Sequence, residues 1–412
     1  MSYEISAPAK IQTTIQLPAS KSISNRVLII HALCHGENSL SNLSECDDTN
    51  VMIQALSKMP DEINIQAAGT AMRFLTAYLS IQDGTHVITG TERMQHRPIE
   101  ILVEALRSLG AHIDYMKKEG FPPLRIEGQL EGNWKDVIQL PGNVSSQYVS
   151  ALMMIAPYLP KGLTIKLTGN VVSRPYIQLT LEIMREHGAK AEWIGENLIT
   201  IAPHPYQDIP YTVENDWSAA SYWYEIAALA SSPETEIILP QLYKHSYQGD
   251  NEVIWIFEQL GIYTSFNPDN SISIKRFQPS PTHFEYDFVN QPDLAQTLVV
   301  TCAMLNIPFY FTGLQSLKIK ETDRITALIH EMKKLGYVLK EESGSILFWE
   351  GERCEASLEP IDTYEDHRMA MAFAPASLIV PNLQINHPEV VSKSYPRYWD
   401  DLRKAGFIIK EK

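Results

Sequence analysis

A helix that ends in glycine and is followed by a short strand recurs five times along this chain. The segments are LRSLGAHIDY, MREHGAKAEWI, FEQLGIYTSF, MKKLGYVLKE and LRKAGFIIKE, and their glycines are Gly110, Gly188, Gly261, Gly336 and Gly406. Glycine takes the left-handed conformation at a helix end at little cost, which explains the residue type. The glycines lie roughly 70 to 78 residues apart, a period that suits a helix-and-strand unit with its own core rather than a solenoid.

A sixth, shortened copy is predicted at ALSKMPDEINIQ, where Pro60 stands in the position of the glycine. Six such units predict an α/β (α+β) protein with two lobes of three units each. The alternative is that an ordinary α/β chain contains several helix-Gly-strand turns by chance. The regular spacing favours real repetition.

The charge balance and the cysteines limit the kinds of partner. The 412 residues include 34 basic and 49 acidic ones, which gives a formal net charge of -15 with histidine neutral. Such a surface repels DNA, RNA and anionic lipid. No apolar run approaches the roughly 18 residues of a membrane span, and the start MSYEISAPAK lacks the pattern of a signal peptide. We expect a cytoplasmic protein, and neither metal nor disulfide roles for Cys34, Cys46, Cys302 and Cys354.

Polar clusters stand immediately before seven apolar helical runs. They are SKSISNR, GTAMR, SSQ, ENDWS, QPD, KETDR and EDHR. Helix starts expose unpaired N–H groups and a partial positive charge, so cations gathered there indicate a site for a small, multiply charged anion. The alternative for each cluster alone is an ordinary capped and solvated helix start.

The clusters of the first half offer cations and hydroxyls. Ser22 and Arg26 lie one turn apart on a helix that Ser20 or Ser22 can cap, and Lys21 lies beside its start. AAGTAMR supplies a glycine that lets a ligand approach the backbone, a hydroxyl and a cation. Directional donors for a phosphate or a polyol follow in SSQ and SRPY, as Ser145, Ser146, Gln147, Ser173 and Tyr176.

The clusters of the second half offer acids among cations. Asp293 lies at the positive end of an apolar helix, where a carboxylate stays ionised and suits a base, although a simple N-cap is the competing interpretation. In KETDR, Lys320 and Arg324 are predicted to share a helix face, and Glu321 beside them could exchange protons with a substrate. EDHR repeats this plan with an acidic cap followed by His367 and Arg368, both expected to face outward.

Taken together, SKSxSNR, AGTAMR, RPI, SSQ, SRPY, KETDR, YEDHRMAM and SKSYP resemble the 5-enolpyruvylshikimate-3-phosphate (EPSP) synthase family. KETDR and DHRMAM are highly specific to that family, and the resemblance covers roughly Leu17 to Trp399. It implies a two-lobed inside-out α/β barrel with three units per lobe, closing over a cleft into which helix N-termini point. By analogy the first lobe is 18–244 and the second combines 1–17 with 245–412.

The resemblance also implies a reaction and a set of site residues. The enolpyruvyl group of phosphoenolpyruvate moves to the 5-hydroxyl of shikimate 3-phosphate through a tetrahedral intermediate, with neither metal nor organic cofactor, in a protein expected to be a monomer. The base, the acid and the cation at the leaving phosphate are assigned to Asp293, Glu321 and Lys21. Shikimate 3-phosphate is assigned to Lys21, Ser22, Arg26, Ser145, Ser146, Gln147, Ser173, Tyr176, Asp293, Ser316 and Lys320. Phosphoenolpyruvate is assigned to Lys21, Gly69, Thr70, Arg97, Gln147, Arg324, His367, Arg368 and Lys393.

The chain departs from the family pattern at five positions. Asparagine is common in the family where Ala67 and Ser316 stand here, and proline, lysine and glycine are frequent at Phe74, Arg174 and Ala19. The acid, base and cation positions all remain. The departures therefore bear on affinity more than on activity.

Three other functions are weighed against this one. A UDP-N-acetylglucosamine enolpyruvyl transferase shares the architecture but typically uses a loop cysteine, and no cysteine here stands in such a cationic loop. A non-catalytic phosphometabolite-binding protein would not need Asp293, Glu321 and Lys21 together. An RNA 3'-phosphate cyclase with related repeats is disfavoured by the acidic charge and the lack of basic patches interleaved with aromatics.

Overall fold

The structure, a computed structural model, describes residues 1–129, 133–277 and 281–412. Contacts divide the chain into two compact units: unit 1 comprises Met1–Pro18 and Glu214–Lys412, and unit 2 comprises Ala19–Val213. Each unit has its own core of buried apolar side chains. In the described part of the chain, no helix is long and apolar enough to cross a membrane.

Helices and strands alternate through both units. In chain order, the α-helices of the described residues are α1 (Lys21–Leu33), α2 (Asp47–Lys58), α3 (Gly69–Ser80), α4 (Glu100–Leu109), α5 (Ser146–Ile155), α6 (Arg174–Glu186), α7 (Trp217–Leu229), α8 (Val253–Gln259), α9 (Ala295–Met304), α10 (Arg324–Lys334), α11 (His367–Phe373) and α12 (Tyr398–Lys404). The strands are β1 (Ser2–Ser6), β2 (Gln12–Thr14), β3 (Leu40–Ser41), β4 (Glu62–Asn64), β5 (Gly84–Thr89), β6 (His112–Tyr115), β7 (Leu124–Gly128), β8 (Val137–Pro141), β9 (Leu163–Thr168), β10 (Ala191–Ile194), β11 (Leu198–Ile201), β12 (Tyr211–Thr212), β13 (Glu236–Pro240), β14 (Ile262–Phe266), β15 (Ser271–Arg276), β16 (Phe284–Asp287), β17 (Phe309–Thr312), β18 (Lys340–Glu342), β19 (Ile346–Trp349), β20 (Leu383–Asn386) and β21 (Ile408–Glu411).

Four sheets share one topology. Their orders are β4-β5-β7-β6, β10-β11-β9-β8, β14-β15-β13-β2 and β16-β17-β19-β18. Each contains a parallel pair of strands and an antiparallel hairpin, and the second strand of the pair is antiparallel to one strand of the hairpin. In one of the sheets, for example, β8 and β9 form the parallel pair, and β9 lies antiparallel to β11 of the hairpin β10–β11. Parallel neighbours need a crossover, and a helix supplies it in each case. The repeated segments of the sequence are therefore repeated structural units.

The remaining two units are variants of the same plan. In the sheet β20-β1-β21, the central strand comes from the start of the chain and runs antiparallel to both neighbours. Ile361 forms a single parallel bridge with Ile385 where the first strand of a complete unit would run. The sixth unit retains only the parallel pair of β12 and β3.

Unit 2 is an insertion within one of these repeats. Strand β2 pairs in parallel with β13, in a register that runs from Gln12↔Glu236 to Thr14↔Ile238, and the crossover helix between them is α7. All of unit 2 stands in the chain between β2 and α7. Residues 214–244, which the family resemblance places in the first lobe, pack in unit 1, because α7 and β13 complete a sheet that β2 begins.

In each full copy of the repeat the helix ends at its glycine or just before it. Gly110, Gly188, Gly261, Gly336 and Gly406 all have positive φ angles, between 84° and 128°. In the shortened copy the prediction at Pro60 is wrong. The preceding residue, Met59, takes the left-handed conformation with φ 39°, because the proline ring fixes φ at a negative value.

Buried helices alternate with amphipathic ones. Every residue of α3, α9 and α11 is buried, as are most residues of α1, α5 and α7. A helix that is apolar all round belongs in the centre of a unit, whereas the helices that end in glycine bury one face. The buried helices of each unit begin side by side: Gln147 of α5 contacts Thr70 of α3, and Ser221 of α7 contacts Thr297 of α9.

Candidate active site

Arg26 is the most enclosed cation of unit 2. Its side chain is 2% exposed, and its guanidinium donates to the Thr180 and Ser150 hydroxyls and to the carbonyls of Ser22 and Tyr176, at 2.6 to 3.3 Å. Among the described residues no carboxylate lies within ion-pair distance of it. Burial therefore lowers the pKa of Arg26 to about 10, which leaves the group charged at neutral pH and suited to an anion.

Two further arginines converge on Gly69, the first residue of α3. A Cβ atom at Gly69 would lie 2.6 Å from Nη1 of Arg97 and 2.7 Å from Nη1 of Arg73. Arg73 donates to the carbonyl of Gly69 at 2.7 Å and lies over the ring of Tyr148. The Tyr148 hydroxyl donates to the carbonyl of Pro98 at 2.8 Å and so ties the segment of Arg97 to α5. Only glycine leaves room for both guanidinium groups.

The SSQ cluster forms the start of α5. Ser145 is its N-cap and accepts from the backbone N–H of Gln147 at 3.3 Å. The Gln147 amide donates to the Thr70 hydroxyl at 3.1 Å, which joins the starts of α5 and α3. Ser146, the first residue of the helix, is 9% exposed. These neutral donors are oriented by the helix starts and by one another.

The starts of α1 and α6 hold the other predicted residues of unit 2. Lys21 is the first residue of α1, with Nζ 3.5 Å from Oδ2 of the buried Asp48. Ser22 follows it and accepts from Arg26 through its carbonyl. Ser173 is the N-cap of α6 with a left-handed φ of 53°, and Tyr176 lies in the first turn. The N-cap of α1 is Ser20, which is one of the two residues, Ser20 and Ser22, that the sequence predicts for that position.

Asp293 lies at the centre of the unit 1 cluster. It belongs to a 3-10 turn before α9, where it caps no helix and instead faces three cations. Its Oδ2 atom lies 2.9 Å from Arg368, and its Oδ1 atom lies 3.3 Å from Arg324 and 3.6 Å from Lys320. Burial alone would raise the pKa of Asp293, but these three cations outweigh it and hold the pKa well below its ordinary value.

Arg324 joins the acids of this cluster. It is 1% exposed, and its guanidinium donates to both oxygens of Asp366, to Glu321 and to Asp293. Glu321 in turn receives Nζ of Lys393 at 3.0 Å. Burial alone would lower the pKa of Arg324, but the three carboxylates raise it, so the guanidinium stays charged. Three carboxylates and their cations thus form one continuous network.

The start of α11 completes the network. Asp366 caps the helix by accepting from the N–H of Arg368 at 2.9 Å, and Nδ1 of His367 lies 3.8 Å from the same carboxylate. Arg368 also donates to the Tyr222 hydroxyl of α7 at 3.3 Å. Burial raises the pKa of Tyr222 to about 12, although Arg368 opposes this.

Two predictions about these clusters are wrong. His367 and Arg368 are 2% and 7% exposed rather than outward-facing, because α11 lies in the core of unit 1. Lys320 and Arg324 do not share a helix face, because Asp323 caps α10 and leaves Lys320 and Glu321 before the helix. Because Lys320 lies outside the helix, its side chain can contact Asp293.

Ser316, another predicted contact, lies half-buried in the 3-10 turn Gln315–Ile319 that precedes this segment.

The sequence does not identify several polar residues that border the clusters. Three of them lie within helices and carry no local sequence signal: Tyr148 and Asp48 in unit 2, and Tyr222 in unit 1. Asp250 in unit 1 is 3% exposed and receives the Ser218 hydroxyl. Burial and the charge of Asp293 raise the pKa of Asp250 to about 6, while Arg368 opposes them. The one sequence signal for Asp250 is its place in QGD, shortly before the start of α8.

Each cluster has a distinct chemical capability. In unit 2, cations and neutral donors at four helix starts suit a ligand with an anionic group and hydroxyls. In unit 1, carboxylates held among cations can exchange protons, and the cations can exchange their carboxylate partners for an anionic ligand. In the described ranges, no group of three His, Cys, Asp or Glu side chains is arranged to hold a metal ion.

Comparison with known proteins gives a consistent family. The family model described as EPSP synthase (3-phosphoshikimate 1-carboxyvinyltransferase) matches residues 5–65 and 57–402. A 3-phosphoshikimate 1-carboxyvinyltransferase of Bacteroides fragilis is 62% identical over 412 residues, covering 100% of this chain and 99% of the relative. One of Cellvibrio japonicus is 35% identical over 426 residues, covering 96% of this chain and 97% of the relative.

The fold has solved counterparts. An EPSP synthase structure from Acinetobacter baumannii superposes with a TM-score of 0.77 at 21% identity, covering 100% of both chains. At that identity the likeness concerns the fold, and it confirms the predicted two-lobed α/β class. The resemblance inferred from KETDR and DHRMAM is confirmed by the family model and by the relatives. The chain belongs to the EPSP synthase family.

Proposed function

We propose that this chain transfers the enolpyruvyl group of phosphoenolpyruvate to the 5-hydroxyl of shikimate 3-phosphate, giving 5-enolpyruvylshikimate 3-phosphate and phosphate. The name shared by its relatives supports the reaction. The observation that carries the assignment of residues is the continuous network in unit 1 that joins Asp293, Arg324, Glu321 and Lys393. A cytoplasmic location and a monomeric state belong to the same proposal.

The unit 2 cluster is assigned chiefly to shikimate 3-phosphate. Arg26 offers a buried charge with no carboxylate partner among the described residues, which favours an anionic group of the substrate. Hydroxyls and amides at helix starts offer directional bonds to the phosphate and the ring hydroxyls. These donors are Ser22, Ser145, Ser146, Gln147, Ser173 and Tyr176, and unit 1 adds Ser316, Lys320 and Asp293.

Phosphoenolpyruvate carries a phosphate and a carboxylate and needs several cations. Arg97 at Gly69 in unit 2, and Arg368 in unit 1, present guanidinium groups that suit bidentate bonds to such oxygens. Lys21, Thr70, Gln147, Arg324, His367 and Lys393 are assigned to the same substrate. Lys21 at the start of α1 is assigned to the leaving phosphate, whose developing charge it neutralises.

The addition step requires a base at the 5-hydroxyl. Asp293 takes that proton as the oxygen adds to C2 of phosphoenolpyruvate. With three cations around it the carboxylate is a weak base, because its pKa lies well below the ordinary value. Anionic substrates that engage Arg368 and Arg324 remove part of this stabilisation, so substrate binding itself raises the basicity of Asp293.

The methylene carbon C3 requires a proton in the addition and loses one in the elimination. Glu321 is assigned to both transfers, since it lies in the same network and is bridged by Arg324 and Lys393. Elimination then breaks the bond between C2 and the phosphate oxygen, and the C2–C3 double bond forms again. The proton that Asp293 accepted passes to the departing phosphate, which leaves as hydrogen phosphate, so atoms and charges balance without any cofactor.

Phosphate release distinguishes this function from the alternatives. The full chain is incubated with phosphoenolpyruvate plus either shikimate 3-phosphate or UDP-N-acetylglucosamine, and phosphate is measured. We expect turnover with shikimate 3-phosphate alone. Turnover only with UDP-N-acetylglucosamine would overturn the substrate assignment, and binding of shikimate 3-phosphate without turnover would identify a non-catalytic binding protein.

A further inference from the structure

The turn that presents Arg368 has an uncommon backbone. Tyr364 and Glu365 are consecutive residues with φ of 53° and 54°, in the left-handed region that residues with a side chain rarely occupy. The turn closes when the N–H of Asp366 donates to the carbonyl of Thr363 at 2.8 Å. Asp366 then caps α11 by accepting from the N–H of Arg368, the second residue of that helix. Two adjacent left-handed residues persist only where their surroundings fix them.

A buried carboxylate of α10 provides that fixation. Glu331 is 0% exposed; its Oε1 atom accepts from the Tyr364 hydroxyl at 2.6 Å, and its Oε2 atom accepts from the N–H of Asp362 at 3.0 Å. Lys334, one turn later, reaches both Glu331 and Asp362 at 2.8 and 2.9 Å. Burial and the acceptor Glu331 raise the pKa of Tyr364, so its hydroxyl keeps its proton and donates.

The same helix holds the turn at its other end. Arg324 is the first residue of α10 and donates to both oxygens of Asp366. The left-handed pair thus lies between two attachments to α10, one at Glu331 and one at Arg324. Helix α10 thus holds this short turn at both of its ends.

We propose that Glu331 and Tyr364 are positioning residues for the reaction, which hold the left-handed turn so that Asp366 stays at the start of α11 and Arg368 is directed at Asp293 and at phosphoenolpyruvate. Neither residue is among those assigned to the substrates; they act through Arg368. This inference rests on the proposed function, because it concerns a residue assigned there to phosphoenolpyruvate. It adds to that function a clamp built from a helix that already supplies Arg324.

The test removes one hydroxyl. Tyr364→Phe keeps the ring and loses the bond to Glu331, so the turn relaxes and Arg368 no longer keeps its direction. We expect the KM for phosphoenolpyruvate to rise about tenfold, and the KM for shikimate 3-phosphate, assigned chiefly to unit 2, to change less than about twofold. Glu331→Gln is expected to have a similar effect, and the double variant should be little worse than either single one, because the pair acts as a unit.

A matched control separates positioning from general weakening of the fold. Tyr224→Phe also removes a hydroxyl bond in unit 1, from Tyr224 to Thr264 at 2.7 Å, but involves neither α10 nor α11. We expect its KM values to equal those of the wild type. If Tyr364→Phe behaves like Tyr224→Phe, or lowers kcat with both KM values unchanged, the inference is overturned.

Hydrogen exchange gives a measurement that does not depend on turnover. In Tyr364→Phe, the amides of residues 363–370 should exchange about tenfold faster than in the wild type, while those of α7 keep their rates. Unchanged exchange in that segment would contradict the clamp even if activity fell. Failure of the proposed function is distinct, since the wild-type chain itself would then release no phosphate.

Discussion

The guanidinium of Arg368 binds both the side chain and the backbone of Asp293. Nη2 donates to the carboxylate at 2.9 Å, and Nη1 donates to the main-chain carbonyl of the same residue at 3.3 Å. The proposed base is therefore fixed by the cation that is also proposed to bind phosphoenolpyruvate. A substrate that draws Arg368 away from Asp293 removes positive charge from around the carboxylate. The proposed base therefore becomes stronger when the substrate is bound.

Replacing Asp293 with asparagine should stop the chemistry and spare binding. The amide that replaces the carboxylate cannot accept the 5-hydroxyl proton, and loss of a general base lowers kcat by about 10² to 10⁴. Asp293→Asn should still bind shikimate 3-phosphate, measured by calorimetry, because the donors of unit 2 are unchanged. Asp269→Asn, at a surface turn where Asp269 accepts from Ser271, is the control and should keep full activity. Turnover within about tenfold of the wild type would exclude Asp293 as the base.

Arg26→Lys should weaken shikimate 3-phosphate binding selectively. A lysine keeps the charge but cannot reproduce the planar set of bonds to Thr180, Ser150 and two carbonyls. We expect the KM for shikimate 3-phosphate to rise on the order of 10- to 100-fold, with a smaller change for phosphoenolpyruvate. Arg185→Lys, a partly exposed arginine that pairs with Glu182, is the matched control in unit 2. Equal changes in both KM values would contradict the assignment.

Gly69→Ala should crowd the two guanidinium groups at the start of α3. The new Cβ atom would lie 2.6 Å from Arg97 and 2.7 Å from Arg73, so both side-chain ends must shift. Gly69 has no positive φ, so the backbone tolerates alanine and the fold should be retained. We expect the KM for phosphoenolpyruvate to rise about tenfold, and the KM for shikimate 3-phosphate serves as the internal control. An unchanged KM for phosphoenolpyruvate would place the substrate elsewhere.

Glu225→Gln should stabilise unit 1 increasingly as the pH rises. Glu225 is 0% exposed in α7, and neither carboxyl oxygen has a hydrogen-bond partner among the described residues. Burial raises its pKa well above the ordinary value. The folded chain thus holds a proton that the unfolded chain releases above about pH 4.3, so the free energy of unfolding falls as the pH rises up to the raised pKa.

The glutamine variant lacks this proton, and its advantage in unfolding free energy should grow by about 1.4 kcal/mol per pH unit within that window. Urea unfolding at a series of pH values between about 5 and 8 measures it. Glu355→Gln, in an exposed segment, is the control and should run parallel to the wild type. A constant difference between Glu225→Gln and the wild type would show that Glu225 does not titrate in this range.

Local features of the sequence predict the helix starts well. Ser20, Ser145 and Asp366 cap helices, because a short polar side chain beside an apolar run satisfies the first N–H groups wherever it occurs. Asp323 carries the same signal, and reading it as a cap would have left Lys320 outside α10, as the structure has it. The error there came from extending the helix over the whole cluster.

Contacts between distant segments could not be predicted in the same way. Arg26 donates to a hydroxyl 154 residues away, and Arg324 to a carboxylate 42 residues away. Such partners depend on which helices pack together, which no local pattern specifies. The position of 214–244 has the same origin, since only the pairing of β2 with β13 assigns α7 to unit 1.

The insertion of unit 2 within a repeat of unit 1 imposes an order on biosynthesis. Every residue of unit 2 has been made once the ribosome has passed residue 213, so that unit can fold while the chain is still growing. Strand β1, which is made before unit 2, pairs with β20 and β21 and has neither partner until residues 383–386 of β20 have been made. Strand β1 thus stays unpaired while all of unit 2 and most of unit 1 are made, and its backbone groups are open to wrong pairing for that time.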